Sequence, residues 1–366
     1  MRWLFVAQDG WGLGHVSRQL GLARELRRLR PNDEHLILTY SEATHLIAAE
    51  GFASIKIPAS QPHLPAEQRY LDEESRQWLA AALAHTVLTN FRPQAVVLDT
   101  FPIGLHGELA MALRLPCYRF LIAREVSRTL PHWEYQESLS HFHALLAPYG
   151  EAEIDLPIPR GLPLHWVGPV LVRTKNDLLP RAEARQRLGL PQDGPVCLVS
   201  FGGGGNPHYD RLEQWVLALA AGFPHWHFAF TRPPLLRQAQ RPPGPGNVSH
   251  FAYFPMAECY AAFDTAISST GSSAYELAHM GVPSILVPST SPQQIEDHLQ
   301  KARRILGQNG GFIVSAMDSE ALASAFAAMD TPARLSAMKE DRAKLNFQNG
   351  AERAAGILAD RVTRPR

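Results

Sequence analysis

One pattern, a short apolar run followed by a glycine-rich turn and a helical repeat, opens both halves of this 366-residue chain. In the first half the run 3–7 leads into the turn 10–14, and in the second half the run 195–200 leads into the turn 202–205. Further apolar runs alternate with segments of helical periodicity. Strict alternation predicts parallel sheets covered by helices on both faces. We therefore expect an α/β chain with two Rossmann-like, doubly wound domains.

Length, charge and cysteine usage narrow the class of protein. The length exceeds what one ordinary core accommodates, which supports two domains. The chain has 35 Lys and Arg against 35 Asp and Glu, so its net charge gives no support for nucleic-acid binding. Three widely spaced cysteines indicate buried free thiols in a reducing compartment. No apolar run has the length of a membrane span or a signal peptide, so we expect a cytoplasmic protein.

The stretch 268–283 carries the most specific motif. It reads Ser-Ser-Thr-Gly-Ser-Ser-Ala-Tyr-Glu-Leu-Ala-His-Met-Gly-Val-Pro and lies between two apolar runs. This pattern predicts a buried strand, a tight turn and a helix. The N-terminus of such a helix attracts phosphate, because its unpaired N–H donors and the positive end of its dipole point outward. Glu276, one turn into the helix, is placed to accept hydrogen bonds from ribose hydroxyls.

This motif resembles the nucleotide-sugar signature of the GT-B glycosyltransferases, in particular family 28, the lipid II N-acetylglucosaminyltransferase group, and family 1. The resemblance implies the GT-B fold, in which two Rossmann-like domains face each other across a cleft. With the polar stretch after residue 170 as the linker, the acceptor domain spans 1–170 and the nucleotide-sugar domain spans 171–345. The helix in 346–366 has the place of the segment that packs back toward the first domain.

Two residues of the first half are candidates for activating an acceptor. His15 follows the first glycine turn and Asp99 ends the apolar run 95–98, both at strand ends where parallel sheets bind ligands. Imidazole titrates near neutral pH and suits a base that deprotonates a hydroxyl. The resemblance implies His15 as that base, oriented by Asp99, with Gly14 and Arg18 on the acceptor side; Arg18 replaces the common proline. The alternatives are structural: a turn-capping histidine and a helix-capping aspartate.

The resemblance assigns the second half to the nucleotide sugar. The glycine run 202–205 lacks Cβ atoms, so its backbone can approach a diphosphate closely. Phe251 and Ala252 would hold the base. The segment 297–302 is similar to the family's donor-sugar box, but His298 stands where glutamine is expected, which leaves the sugar open. The residues that the resemblance implies for donor binding are Gly203, Gly204, Gly205, Phe251, Ala252, Gly271, Ser272, Ser273, Glu276, Asp297 and His298.

The implied activity is sugar transfer from a nucleoside diphosphate sugar, with UDP or dTDP favoured, to an acceptor hydroxyl with inversion. The nucleotide sugar is a co-substrate, so no cofactor is expected. No metal is expected either, because the sequence has no Asp-x-Asp motif and backbone donors can neutralise the leaving diphosphate. A small molecule, a lipid-linked sugar and a protein side chain all remain as acceptors. Peripheral membrane contact, and the choice between monomer and homodimer, stay open.

Three alternatives remain from the sequence. A nucleotide-sugar hydrolase or epimerase would use the same cleft, with water or an intermediate in place of the acceptor. A nicotinamide-dependent oxidoreductase is favoured by Glu42 near the end of the second predicted strand, although Ser17 stands where the third glycine of the dinucleotide fingerprint belongs. A non-catalytic subunit that binds a sugar nucleotide is the third.

Overall fold

A computed structural model describes most of the chain. The described residues are 1–8, 12–58, 71–124, 132–151, 153, 158–203, 209–233, 244–288, 295–307, 309–314, 318–344 and 348–363. The chain divides into two compact units, one made of Met1–Val172 with Asn349–Arg366 and the other of Arg173–Gln348. Each unit contains one parallel sheet with helices, so the predicted α/β fold class with two sheets is confirmed.

The first unit is built on a parallel sheet that has seven strands in the described residues. The strands are β1 (Arg2–Ala7), β2 (Glu34–Thr39), β3 (Ala53–Lys56), β4 (Ala95–Asp99), β5 (Tyr118–Ile122), β6 (Ala144–Ala147) and β7 (Leu164–Trp166). The helices between them are α1 (Gly14–Leu29), α2 (Thr44–Ala49), α3 (Glu73–Asn90) and α4 (His132–Leu139), with a 3₁₀ helix at Ala110–Arg114.

The strand order of this sheet, β3-β2-β1-β4-β5-β6-β7, places β1 beside β4 at its centre. The chain leaves β1 toward β2 on one side and leaves β4 toward β5 on the other. The carboxyl ends of β1 and β4 therefore form the topological switch point, where open α/β sheets bind ligands. Both central strands are buried along their length, which explains why they are continuous apolar runs rather than alternating ones.

The second unit repeats this arrangement with six described strands in the order β10-β9-β8-β11-β12-β13. In chain order they are β8 (Val196–Ser200), β9 (His227–Thr231), β10 (Val248–Phe251), β11 (Thr265–Ser269), β12 (Ser284–Val287) and β13 (Gly311–Ile313). The helices are α5 (Arg181–Leu188), α6 (Tyr209–Gly222), α7 (Ser272–Met280), α8 (Ile295–Leu306), α9 (Ser319–Met329) and α10 (Pro332–Lys344), with 3₁₀ helices at Lys175–Asp177 and Met256–Ala262. Here the switch point lies between β8 and β11.

The last helix of the chain, α11 (Gly350–Thr363), belongs to the first unit and packs on α1. Gly350 N–H donates to the carbonyl of Pro169 at 2.7 Å. The side chain of Asn349 accepts a hydrogen bond from Leu171 N–H and donates one to the Leu171 carbonyl, each at 3.0 Å. The chain thus completes its first sheet domain with its final helix.

One segment differs from its sequence-based prediction. The apolar spacing of 104–114 predicts a helix, whereas the structure has only the short 3₁₀ helix at Ala110–Arg114. Gly104 and Gly107 adopt positive φ values of 95° and 83°, which a right-handed helix excludes. Glu108 accepts hydrogen bonds from two backbone N–H groups of this turn, those of residues 105 and 106. The turn therefore satisfies its own polar groups without helix formation.

Replacing Gly21 by alanine is expected to destabilise the first unit by about 1–3 kcal/mol. Gly21 lies in α1, and a Cβ atom there would be 2.4 Å from the carbonyl oxygen of Leu171. The matched control is Gly356→Ala in α11, where a Cβ atom meets nothing within 4 Å among the described atoms. Alanine has a higher helix propensity than glycine, so Gly356→Ala should raise the free energy of unfolding by up to about 1 kcal/mol. Urea unfolding measures both, and a Gly21→Ala protein as stable as the control would contradict the close contact.

Candidate active site

The first part of the candidate site lies at the switch point of the first sheet. Asp99 is the last residue of β4, and His15 lies in the first turn of α1, just after β1. His15 Nδ1 is 3.3 Å from Asp99 Oδ2, with side-chain exposures of 8% and 0%. The imidazole ring stacks on Phe101 with ring centroids 6.4 Å apart. The carboxylate thus faces the Nδ1 side of the imidazole, which is the geometry that fixes a tautomer in histidine–aspartate pairs.

Asp99 has a second partner, Arg18. The Arg18 guanidinium donates from Nε to Oδ2 at 2.9 Å and from Nη2 to Oδ1 at 3.2 Å, and both side chains are buried. Burial alone would raise the pKa of Asp99, but the charge of Arg18 and then the interaction with His15 outweigh it and hold this pKa well below its usual range. The family resemblance implies that Arg18 lies on the acceptor side, and in the structure its guanidinium binds the carboxylate of Asp99.

The backbone after Asp99 is held in an unusual conformation. Thr100 has φ of 69°, a left-handed value that is costly for a β-branched residue and is found mainly where surrounding structure enforces it. Its hydroxyl donates to Asp99 Oδ1 at 2.9 Å. The Gln8 side-chain amide bonds the backbone N–H and carbonyl of Phe101 at 3.3 and 2.9 Å. The ends of β1 and β4 are therefore tied together around the carboxylate.

Two turns lie together at the switch point of the second sheet. Gly202 follows β8 with φ of 88°, and Gly271 is the N-cap of α7 after the adjacent strand β11. A Cβ atom built on Gly202 or Gly271 would lie 3.9 or 3.8 Å from the hydroxyl of Ser269. Gly203 continues the first turn, whereas Gly204 and Gly205 lie outside the described residues. The N-terminus of α7 thus adjoins a glycine turn.

The first two turns of α7 contain three of the predicted donor-binding residues. Ser272 and Ser273 are half-buried at its start. Glu276 is also half-buried, and its Oε2 accepts a hydrogen bond from the Tyr260 hydroxyl at 3.0 Å. Burial raises the pKa of Glu276 to about 7, although the Tyr260 hydrogen bond and the charge of Arg173 oppose the shift. This carboxyl group is therefore held in place and titrates near neutral pH.

The remaining donor-side candidates have different surroundings. Phe251 ends β10 and packs into an apolar cluster that also contains Tyr260, whereas Ala252 is exposed. Thr270 Oγ1 lies 2.7 Å from His298 Nδ1, which brings His298 of α8 to the turn before α7. The backbone of Asp297 lies in α8, and its side chain is outside the described residues.

The described ranges contain neither a metal-binding cluster nor a membrane-crossing helix. Within these ranges, no group of three His, Cys, Asp or Glu side chains is arranged to hold a metal ion. Nor does any helix of the described ranges combine the length and the apolar character that a membrane crossing needs. The apolar side chains of α3 differ in their exposure to solvent. Val87 is buried in the core, whereas Trp78 is 71% exposed and Leu79 is 43% exposed.

Comparison with known sequences connects the second half to one enzyme family. Residues 234–354 match the model of the glycosyltransferase family 28 C-terminal domain. The UDP-N-acetylglucosamine--N-acetylmuramyl-(pentapeptide) pyrophosphoryl-undecaprenol N-acetylglucosamine transferase of Desulforudis audaxviator is 27% identical over 369 residues, which cover 92% of each chain. The protein of the same name from Mycobacterium avium is 28% identical over 373 residues, which cover 97% of this chain and 88% of that one.

Comparison with solved structures concerns the fold. Spinosyn forosaminyltransferase SpnP superposes with a TM-score of 0.66 at 17% identity over the full length of both chains. MurG of Acinetobacter baumannii gives a TM-score of 0.60 at 14% identity and covers 98% of this chain and 99% of that one. Sequence and fold together confirm the prediction that this chain is a GT-B glycosyltransferase that resembles family 28.

Proposed function

We propose that the protein transfers a sugar from a UDP-sugar to an acceptor hydroxyl with inversion at the anomeric carbon. The observation that carries this proposal is the carboxyl group of Glu276, which Tyr260 fixes one turn into α7. The N-terminus of this helix adjoins the glycine turn after β8. A helix N-terminus binds phosphates, and a carboxylate one turn later accepts hydrogen bonds from hydroxyls. The names of the relatives from Desulforudis and Mycobacterium include UDP-N-acetylglucosamine, which favours UDP over dTDP.

In the second unit, the donor would contact three groups of residues. The backbone of Gly203 and the first turn of α7 would bind the diphosphate and stabilise the charge that develops on it when the sugar leaves, without a metal ion. Glu276 would bind the ribose, and Phe251 with Ala252 would hold the base. Asp297 and His298 in α8 would contact the sugar.

In the first unit, His15 would act as the general base. Because Asp99 faces Nδ1, the acceptor proton would go to Nε2 as the acceptor oxygen forms its bond to the anomeric carbon. The bond between that carbon and the diphosphate oxygen breaks on the opposite face, which gives inversion. The names of the relatives include an undecaprenol-linked acceptor, so a lipid-linked sugar is the first acceptor class to test. A cytoplasmic location with peripheral membrane contact belongs to the same proposal.

The first test is donor binding. Thermal unfolding with UDP-N-acetylglucosamine at about one hundred times its dissociation constant should raise the melting temperature, because a ligand of the native state stabilises it by about 2.7 kcal/mol at this ratio. Glu276→Ala should lose most of this shift. The control Glu340→Ala changes an exposed glutamate of α10 and should keep it. No shift with UDP-sugars or dTDP-sugars at saturating concentration would refute the proposed function.

Donor affinity should increase with pH because of Glu276. The pKa of this carboxyl group is raised to about 7, and ribose hydroxyls donate to the ionised form. Below pH 7 binding must first remove a proton, so the association constant for a UDP-sugar should rise about tenfold between about pH 6 and pH 8. Calorimetry with a UDP-sugar is suitable because both phosphates of the donor are esterified. The donor itself therefore does not take up a proton between about pH 6 and pH 8. Glu276→Gln should bind more weakly and show a flat profile; an unchanged slope in this variant would assign the titration to another group.

A further inference from the structure

One carboxylate in the first unit, Asp99, is shared between a histidine and an arginine. Oδ2 accepts from Arg18 Nε at 2.9 Å and lies 3.3 Å from His15 Nδ1. Oδ1 accepts from Arg18 Nη2 at 3.2 Å and from the Thr100 hydroxyl at 2.9 Å. Both oxygens are therefore occupied, and the bidentate arginine fixes the plane of the carboxylate.

We propose that Arg18 is a positioning residue that offsets the charge of Asp99, so that His15 stays neutral and able to accept a proton. This inference rests on the proposed function for its catalytic meaning. A buried histidine–aspartate pair by itself favours the imidazolium form, because the carboxylate stabilises a positive charge on the ring. An imidazolium is already protonated and cannot act as a base. The guanidinium of Arg18 opposes this effect on the same carboxylate.

Charges on the neighbouring elements act in the same direction. Among the described residues, the ionisable groups that act on Arg18 or Asp99 include Arg124 after β5 and Tyr149 after β6. Arg124 Nε donates to the Tyr149 hydroxyl at 3.4 Å and adds a second positive charge. Among these described groups the two guanidinium groups outnumber the one carboxylate, and Arg124 therefore adds to the effect proposed for Arg18. The interaction is strong because Arg18 and Asp99 are shielded from water.

The position of Arg18 in the sequence explains how the pair forms. His15 and Arg18 are three residues apart at the start of α1, so their side chains project from the same face of the helix. Both then reach the end of β4, which is adjacent to β1 in the sheet. The helical spacing and the strand pairing together bring the guanidinium and the imidazole to the same carboxylate.

The test separates charge from structure with three variants. Arg18→Gln removes the charge and keeps a hydrogen-bond donor toward Asp99, Arg18→Lys keeps the charge, and Arg18→Gln/Asp99→Asn removes both charges. The readout is the NMR titration of the His15 ring in the free protein, assigned by the signals missing in His15→Gln. The second readout is the acidic limb of kcat/KM for transfer.

We expect Arg18→Gln to move both midpoints up by about one pH unit or more, whereas Arg18→Lys stays within a few tenths of wild type. The double variant should titrate close to wild type, because the two charges cancel. A folded Arg18→Gln protein with an unmoved His15 titration would overturn the inference. If Arg18→Gln does not fold, the double variant Arg18→Gln/Asp99→Asn decides the question. A His15 titration midpoint about one pH unit or more below that of wild type would overturn the inference, since it would show that Asp99 acts on His15 in the wild type without compensation. If the NMR titration of His15 moves in Arg18→Gln but sugar transfer is unchanged in His15→Gln, the proposed function is refuted and the inference about Arg18 stands.

Discussion

His15→Ala should lower kcat for sugar transfer by about 10²–10⁴-fold, because removing a general base costs a factor of this size. Donor affinity should stay within about twofold, since His15 lies in the first unit and the proposed donor residues lie in the second. The measurement is single-turnover transfer from a UDP-sugar to a lipid-linked acceptor, with calorimetry of the donor alone. Loss of transfer with intact donor binding also excludes a protein that only binds the nucleotide.

A matched control and a product assay sharpen this result. His45→Ala removes an exposed histidine of α2 and should keep full activity. Released free sugar is measured with and without acceptor, because a hydrolase would use water in the same step. Transfer that survives in His15→Ala would contradict the role of His15. Sugar release that is independent of any acceptor would favour the hydrolase alternative.

The strand ends that bear the candidate residues were predictable from the sequence, whereas the strand order that makes two of them a switch point is seen only in the structure. The runs that become β1, β4 and β8 read as largely apolar segments because their residues, apart from Arg2, are buried. Small or polar residues in the sequence segments that follow them mark the end where ligands bind. The proximity of His15 and Asp99 agrees with this, because Asp99 ends β4 and His15 lies in the first turn of α1, the helix after the neighbouring strand β1.

Contacts made by long side chains were less accessible from the sequence. Arg18 and Asp99 are 81 positions apart, and nothing in either segment alone states that the guanidinium turns inward. The spacing of His15 and Arg18 places both on one helix face, which is the signal that points to the pair. The hydrogen bond from Tyr260 to Glu276 depends on the 3₁₀ helix at Met256–Ala262, and such a short element leaves no periodic pattern.

Short elements were also missed for a physical reason. The strands β7 and β13 have three residues each, and all of these residues are only half-buried. A run of this length is too short to show either a period of two or a continuous apolar segment. Their pairing is decided by the strand beside them, which is a property of the assembled sheet.

Asp99→Ala should reduce the unfolding free energy by about 3–5 kcal/mol at neutral pH, because it leaves the charge of Arg18 buried without its partner. The Arg18→Met/Asp99→Leu double variant should recover at least half of this loss, since it removes both charges and fills the space with apolar atoms. The pKa of Asp99 is lower in the folded protein than in the unfolded chain, so its stabilising effect is present above about pH 4 and is lost as the pH falls further. Urea unfolding at pH 7 and at about pH 3 measures both effects, and the difference between wild type and Asp99→Ala should shrink at the lower pH. A single variant that loses less than about 1 kcal/mol at pH 7 would show that the guanidinium finds another partner, and the compensation between Arg18 and Asp99 would then have to be abandoned.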